Sequence, residues 1–194
     1  MLAPHDRVTV EWQLGRPPTG ALAVAHRCPY GYPQVIFTHP LHRTGSEFIV
    51  FPTLFWLSCP FLTAEVSRLE SAGAVRRFEA RLAAEPDLSS RYAAAHDAYR
   101  KERLTLLSSE DREFLRRVNA LDRMETGIAG LSNPRRVKCL HSHLAHFLAR
   151  RENPIGEAVA AGLPRLFCLP ERVECVEAVG QKLPQACRLR PPCL

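Results

Sequence analysis

The hydrophobic period of this chain changes once, near Phe61, and that change limits what the chain can fold into. Before it, short β-branched and aromatic runs alternate with turns that contain Pro and Gly. Residues 21–27 and 34–38 read as two strands, and residues 48–58 as a third strand region interrupted at Pro52. Residues 40–47 read as a loop between them. Asp6 reads as the cap of a short leading helix that runs to about Gly15. Beyond Phe61, apolar residues recur three and four apart: Leu62, Val66 and Leu69, then Val75, Phe78 and Leu82, with Gly73 as the break. Leu88, Tyr92, Ala95 and Tyr99 predict a long helix over about 87–107. Ser108, with Asp111 three residues on, predicts the capped start of another. Residues 127–134 form a loop, the next helix ends near Arg151, and Asn153-Pro154 opens a short helix that stops at Gly162. The expected class is α+β, a small N-terminal antiparallel sheet packed against a mostly helical body. Residues 163–194 read as an irregular tail rich in Pro and Cys, with one short helix around 172–179.

Inside the helical part, Cys139, His141, His143 and His146 place one thiol and three imidazoles within eight residues. On a helix that already includes Cys139, 100° per residue puts His143 about 40° and His146 about 20° from it. Those three would form one ligand stripe beside the apolar stripe of Leu140, Leu144, Phe147 and Leu148. His141 falls on the opposite side. A helix that begins only at about Ser142 would instead leave Cys139 and His141 on the entry turn, with His141 as an alternative ligand to His143.

The 194 residues suffice for one well-buried core. The first fifteen residues carry Asp6, Arg7 and Glu11 and no continuous apolar run, so no export signal is expected and the protein is expected in the cytoplasm. The seven cysteines then belong to a reducing compartment, where metal binding or catalysis outranks disulfides. The most apolar run, residues 48–62, is broken by Pro52 and Pro60, which excludes it as a membrane span. The net charge of +6 resides partly in basic pairs scattered along helices, with no nucleic-acid-binding spacing among them. Arg135, Arg136 and Lys138 remain a candidate position for an anionic ligand.

Cys28 and Cys59 are each followed by proline at a strand end, and Cys28 also precedes Gly31. Such turns let backbone N–H groups point back at sulfur. With Cys139 and His143 or His146 they would make a Cys₃His set, a normal tetrahedral ligand set for zinc. Three thiolates with an open position would equally suit an enzyme, through an iron–sulfur cluster or a zinc-bound water. Cys139 alone, near a helix N-terminus, would suit a nucleophile with His143 or His146 as its base. In an adaptor, the metal would only tie sheet to helices. Cys168, Cys175, Cys187 and Cys193 show no CxxC pair and read as incidental. Glu65, Glu70, Glu79, Glu102 and Glu113 lie on helical polar faces and form no acid/base dyad.

Five ordered blocks carry a resemblance: His26-Arg27-Cys28-Pro29-Tyr30-Gly31-Tyr32-Pro33, Phe51-Pro52-Thr53-Leu54-Phe55-Trp56-Leu57-Ser58-Cys59-Pro60, Ser67-Arg68-Leu69-Glu70, Val137 through His146, and Asn153-Pro154-Ile155-Gly156. Over residues 7–162 the chain resembles the bacterial family labelled Domain of Unknown Function 501. The resemblance implies a single domain over those residues, no established activity, and a cell-division or envelope setting. It also supports the metal expectation, because the same blocks hold Cys28, Cys59, Cys139 and the histidines.

Overall fold

The chain is organised by one buried strand and one buried helix that crosses behind it. The structure, a computed structural model, describes residues 2–45 and 47–179. Its elements run α1 (Pro4–Leu14), β1 (Ala21–Arg27), β2 (Pro33–Thr38), β3 (Leu41–Thr44), β4 (Glu47–Val50), β5 (Phe55–Leu57), α2 (Pro60–Ser71), α3 (Ala74–Ala84), α4 (Pro86–Thr105), α5 (Ser109–Arg117), α6 (Leu140–Arg150), α7 (Pro154–Gly162) and α8 (Glu174–Val179). The order is α+β, as the change of period requires.

β2 is central, flanked antiparallel by β1 and β5, with Val35 opposite Leu57 and Ile36 opposite Trp56. Four of its first five residues are buried because one face meets α6 and the other meets α1. Pro52 divides the third strand region more sharply than its sequence suggests. Residues before it pair as β4 with β3 in a separate ribbon, so the expected loop over 40–47 is half a hairpin. That strand hides from hydrophobic patterning because only Leu41 among its four residues is buried. Gly45 lies between the two strands at φ +60, a conformation glycine adopts without strain.

The helices follow their periodicity. Gly73, at φ +80, separates α2 from α3, and Ser108 and Asp111 form a reciprocal capping box on α5. Asp6 behaves differently from its expected role. Ala3 holds the cap position of α1, and Asp6, inside the first turn and buried, accepts two 2.7 Å hydrogen bonds from the Arg27 guanidinium. That bidentate pair ties α1 to the end of β1. Leu140, Leu144, Ala145 and Leu148 of α6 lie in the main core with Val35, Leu54, Phe55, Leu62 and Val66. The part of the tail that is described is docked, since Val173, Cys175 and Val179 are buried beside Tyr32. Cys187 and Cys193 lie outside the described residues.

α7 packs so closely on α6 that Gly156 has no room for a side chain. A Cβ there would stand 2.1 Å from the His143 carbonyl oxygen and 2.6 Å from Phe147 Cβ. Gly156→Ala should therefore separate the two helices and destabilise the protein by about 1–3 kcal/mol in urea unfolding. Gly162→Ala, where no atom lies within 4 Å of the added methyl, should leave the midpoint unchanged or raise it.

Candidate metal centre

α6 begins at Leu140, and Cys139 occupies its N-cap with extended backbone, φ −112 and ψ 107. Cys139 is therefore outside the helix, and the 100° spacing that aligned it with His143 and His146 does not apply. His141, one residue into the first turn, comes back to it: His141 Nδ1 lies 3.8 Å from Cys139 Sγ. The same nitrogen lies 3.4 Å from Glu70 Oε1, in the last turn of α2. Glu70, Cys139 and His141 offer three ligand atoms all within 4.8 Å of one another, at half-buried positions.

Neighbouring groups hold this geometry. Glu70 Oε1 accepts the Leu140 N–H at 2.7 Å, the first N–H of α6, which has no acceptor within the helix. His141 Nε2 lies 3.1 Å from the Thr63 carbonyl oxygen and 3.2 Å from Ser67 Oγ. An N–H at Nε2 donates to Thr63, which in the neutral ring leaves the Nδ1 lone pair facing Cys139 and Glu70. Burial opposes ionisation of Cys139, but hydrogen bonding from His141 and from Ser142 outweighs it and draws the thiol below its ordinary pKa. His141 moves upward, through its hydrogen bond to Cys139 and the Glu70 charge, against the opposing effect of burial. Each shift favours the charged form of its group, and the helix N-terminus adds to that for the Cys139 sulfur.

The expected Cys₃His set is divided by the fold. Cys59 caps the N-terminus of α2 while Glu70 is in its last turn, about 16 Å away at 1.5 Å rise per residue. Cys139 belongs to the Glu70 end, so Cys28 and Cys59 do not join it. Among the described residues, Glu70, Cys139 and His141 are the one set of three such ligands with this closeness. His143 and His146 face the core instead. One Asn153 amide nitrogen lies 3.1 Å from His143 Nδ1 and 3.3 Å from His146 Nδ1, while the Tyr92 hydroxyl lies 3.1 Å from His143 Nε2 and donates to the Arg136 carbonyl at 3.1 Å. With protons on both Nε2 atoms, the two Asn153 N–H groups satisfy both Nδ1 acceptors. These are neutral structural imidazoles. Arg136, one of the candidate anion-binding residues, donates to Glu79 at 2.7 Å.

Glu70 escaped sequence reasoning because nothing on α2 pairs it with another acid.

Residues 24–161 match the family described as protein of unknown function (DUF501), and the chain belongs to that family. The matched stretch contains Cys28, Cys59, Glu70, Cys139 and His141 and ends before Cys168. No curated protein and no solved structure matches the chain. No helix among the described residues is long and apolar enough to cross a membrane.

The buried imidazoles set a pH dependence. Burial lowers His96 from 6.5 to about 4 and His146 from 6.5 to about 3. Above about 6.5 both rings are neutral whether the chain is folded or not, and nothing is lost. Below that value the unfolded chain takes up protons that the folded chain refuses until about pH 4, so stability falls through this window. The melting temperature should decline from pH 7 to pH 5, each ring contributing up to about 1.4 kcal/mol per pH unit. His96→Gln should flatten that slope, whatever it does to stability at pH 7.

Proposed function

We propose that this protein binds a divalent transition-metal ion through Glu70, Cys139 and His141, with zinc the ion best suited to the ligand set. The observation that carries this reading is the spacing of the three ligand atoms. Zinc bonds of about 2.0–2.3 Å in a tetrahedron place neighbouring ligands about 3.3–3.7 Å apart. Cys139 Sγ and His141 Nδ1 are 3.8 Å apart, and His141 Nδ1 and Glu70 Oε1 are 3.4 Å apart.

Carboxylate, thiolate and imidazole from one protein leave a fourth position for water or substrate, the arrangement of catalytic rather than closed structural zinc. Zinc there would lower the pKa of a bound water towards neutrality and polarise a carbonyl or phosphoryl oxygen. The chain's own part is orientation. Thr63 fixes the His141 tautomer, and the Leu140 N–H holds the Glu70 carboxylate. Lys138, adjacent to Cys139, adds positive charge suited to an anionic substrate.

A second reading is favoured by the 3.8 Å approach of His141 Nδ1 to Cys139 Sγ at the N-terminus of α6, a thiol beside a base without a metal. One experiment separates the two. Protein purified without chelator is analysed for metal beside Cys139→Ser, Glu70→Gln and His141→Gln. The metal reading expects each substitution to cost one metal ion per chain, or to weaken binding by more than about 100-fold, and expects bound zinc to slow alkylation of Cys139 by iodoacetamide. Unchanged metal content in all three variants, with Cys139 alkylated rapidly in the wild type, would overturn it in favour of the nucleophile.

A further inference from the structure

At the opposite end of α2 from Glu70, the fold gathers four further thiols that the metal centre above does not use. Cys28 directly follows β1, Cys59 occupies the N-cap position of α2, Cys168 lies in the segment that follows α7, and Cys175 lies in the first turn of α8. Three contacts lash that segment to the sheet. The Tyr30 hydroxyl donates to the Cys168 carbonyl at 3.1 Å, Gln34 Nε2 donates to the Leu166 carbonyl at 2.6 Å, and the edge of the Phe167 ring meets Tyr30 at 6.3 Å. Cys28, Tyr30 and Cys168 pack against the buried group Tyr32, Val173, Cys175 and Val179. Gln34 joins Cys59 to the same segment, since its backbone carbonyl accepts the Cys59 N–H at 3.3 Å while its side chain holds Leu166.

Hydrogen-bond donors converge on these sulfurs. The Cys-Pro-Tyr-Gly turn directs the N–H groups of Tyr30 and Tyr32 at Cys28. The Leu62 N–H at the start of α2 and the Gln34 side chain serve Cys59. Gln13 Nε2 donates to Cys175 Sγ at 3.4 Å. Cys59 and Cys175 are buried, and buried thiols faced by N–H donors suit a thiophilic cation: it displaces the protons, and the donors then stabilise the thiolates.

We propose that Cys28, Cys59, Cys168 and Cys175 are the ligands of a second, four-thiolate site that takes a single zinc ion and fastens the segment following α7 to the sheet. On binding, four S–H bonds are exchanged for four Zn–S bonds and the protons pass to solvent. No three of these sulfurs lie mutually within 4.8 Å, whereas tetrahedral zinc requires about 3.8 Å between thiolates at 2.3 Å bonds. The metal therefore draws the four sulfurs together, and because Cys168 and Cys175 come from outside the main helical body, residues 163–179 move inward. The site is independent of Glu70, Cys139 and His141, and either can fail alone.

The test compares the wild type with Cys168→Ser/Cys175→Ser and with Cys139→Ser, each stripped of metal and titrated with Co²⁺ and then with Zn²⁺. The wild type should develop the strong near-ultraviolet thiolate-to-cobalt absorption of a thiolate-rich site, which zinc bleaches. The double variant should bind one metal ion fewer and lose most of that absorption, and Cys139→Ser should retain it. Zinc should also slow proteolysis within residues 163–179 in the wild type and leave the double variant unprotected. Should the double variant fail to fold, Cys168→Ser alone should weaken cobalt binding by more than about tenfold. Equal stoichiometry and spectra in wild type and double variant would overturn the proposal. So would a disulfide among these cysteines in freshly purified protein, or iron with acid-labile sulfide in place of zinc.

Discussion

A carboxylate from one helix capping another is the contact on which this molecule depends. Glu70 Oε1 accepts the Leu140 N–H, the first of α6. The bond joins the last turn of α2 to the first turn of α6 and so fixes how far α6 can slide along the sheet. Everything on α6 inherits that position. Leu140, Leu144 and Leu148 meet the back of β2 and β5, and His146 stacks on Phe55 with ring centroids 5.6 Å apart. Cys139 is left projecting beside Glu70 and His141. The bond that sets the packing thus also assembles the candidate ligands.

The polar groups inside the body work as connectors between elements. Asn153 caps α7 by accepting the Gly156 N–H at 2.9 Å, and its amide nitrogen reaches two imidazoles of α6. One side chain therefore sets both the start of α7 and its register on α6, which is why Gly156 faces the His143 carbonyl with no space to spare. Arg103 does similar work at the other side. Fully buried on α4, it donates to the carbonyls of Thr126, Phe51 and Arg123 at 2.8–3.2 Å. A guanidinium can serve three separated carbonyls at once because its donors fan out in a plane. Both residues satisfy backbone groups that irregular segments would otherwise bury unpaired.

How much of this was legible in the sequence depended on whether the signal was local. Capping at Ser108, the break at Gly73 and the short helix after Asn153-Pro154 each rest on residues within one turn of one another, and they appear where the sequence places them. The ribbon of β3 and β4 was hidden because burial of Leu41 alone leaves no alternating pattern. The candidate metal centre turned on a single boundary. With Cys139 inside the helix, His143 is its neighbour; with Cys139 at the cap, His141 is. Hydrophobic phasing cannot separate those cases, because Leu140, Leu144 and Leu148 keep the same face in both. Cys168 and Cys175 carried no spacing signal, since Cys175 comes beside Tyr32 and Cys28 only when α8 docks on α1.

The two candidate sulfur sites stand at opposite ends of α2, and the helix dipole treats those ends differently. A thiolate at Cys59, at the positive end, gains from the α2 N-terminus. Glu70, at the negative end, would by itself be misplaced. The positive end of α6 meets it at that point, so one helix terminus offsets the cost imposed by another, and Cys139 shares the same favourable potential. This compensation explains why an acidic residue is tolerated in the last turn of α2. An N-cap side chain at position 139 reaches only the N–H groups one turn further in, so the first N–H of α6 turns to Glu70 whatever residue stands there. The open first N–H of α6 and the carboxylate at the negative end of α2 are thus two halves of one arrangement, and the candidate ligands gather where they meet.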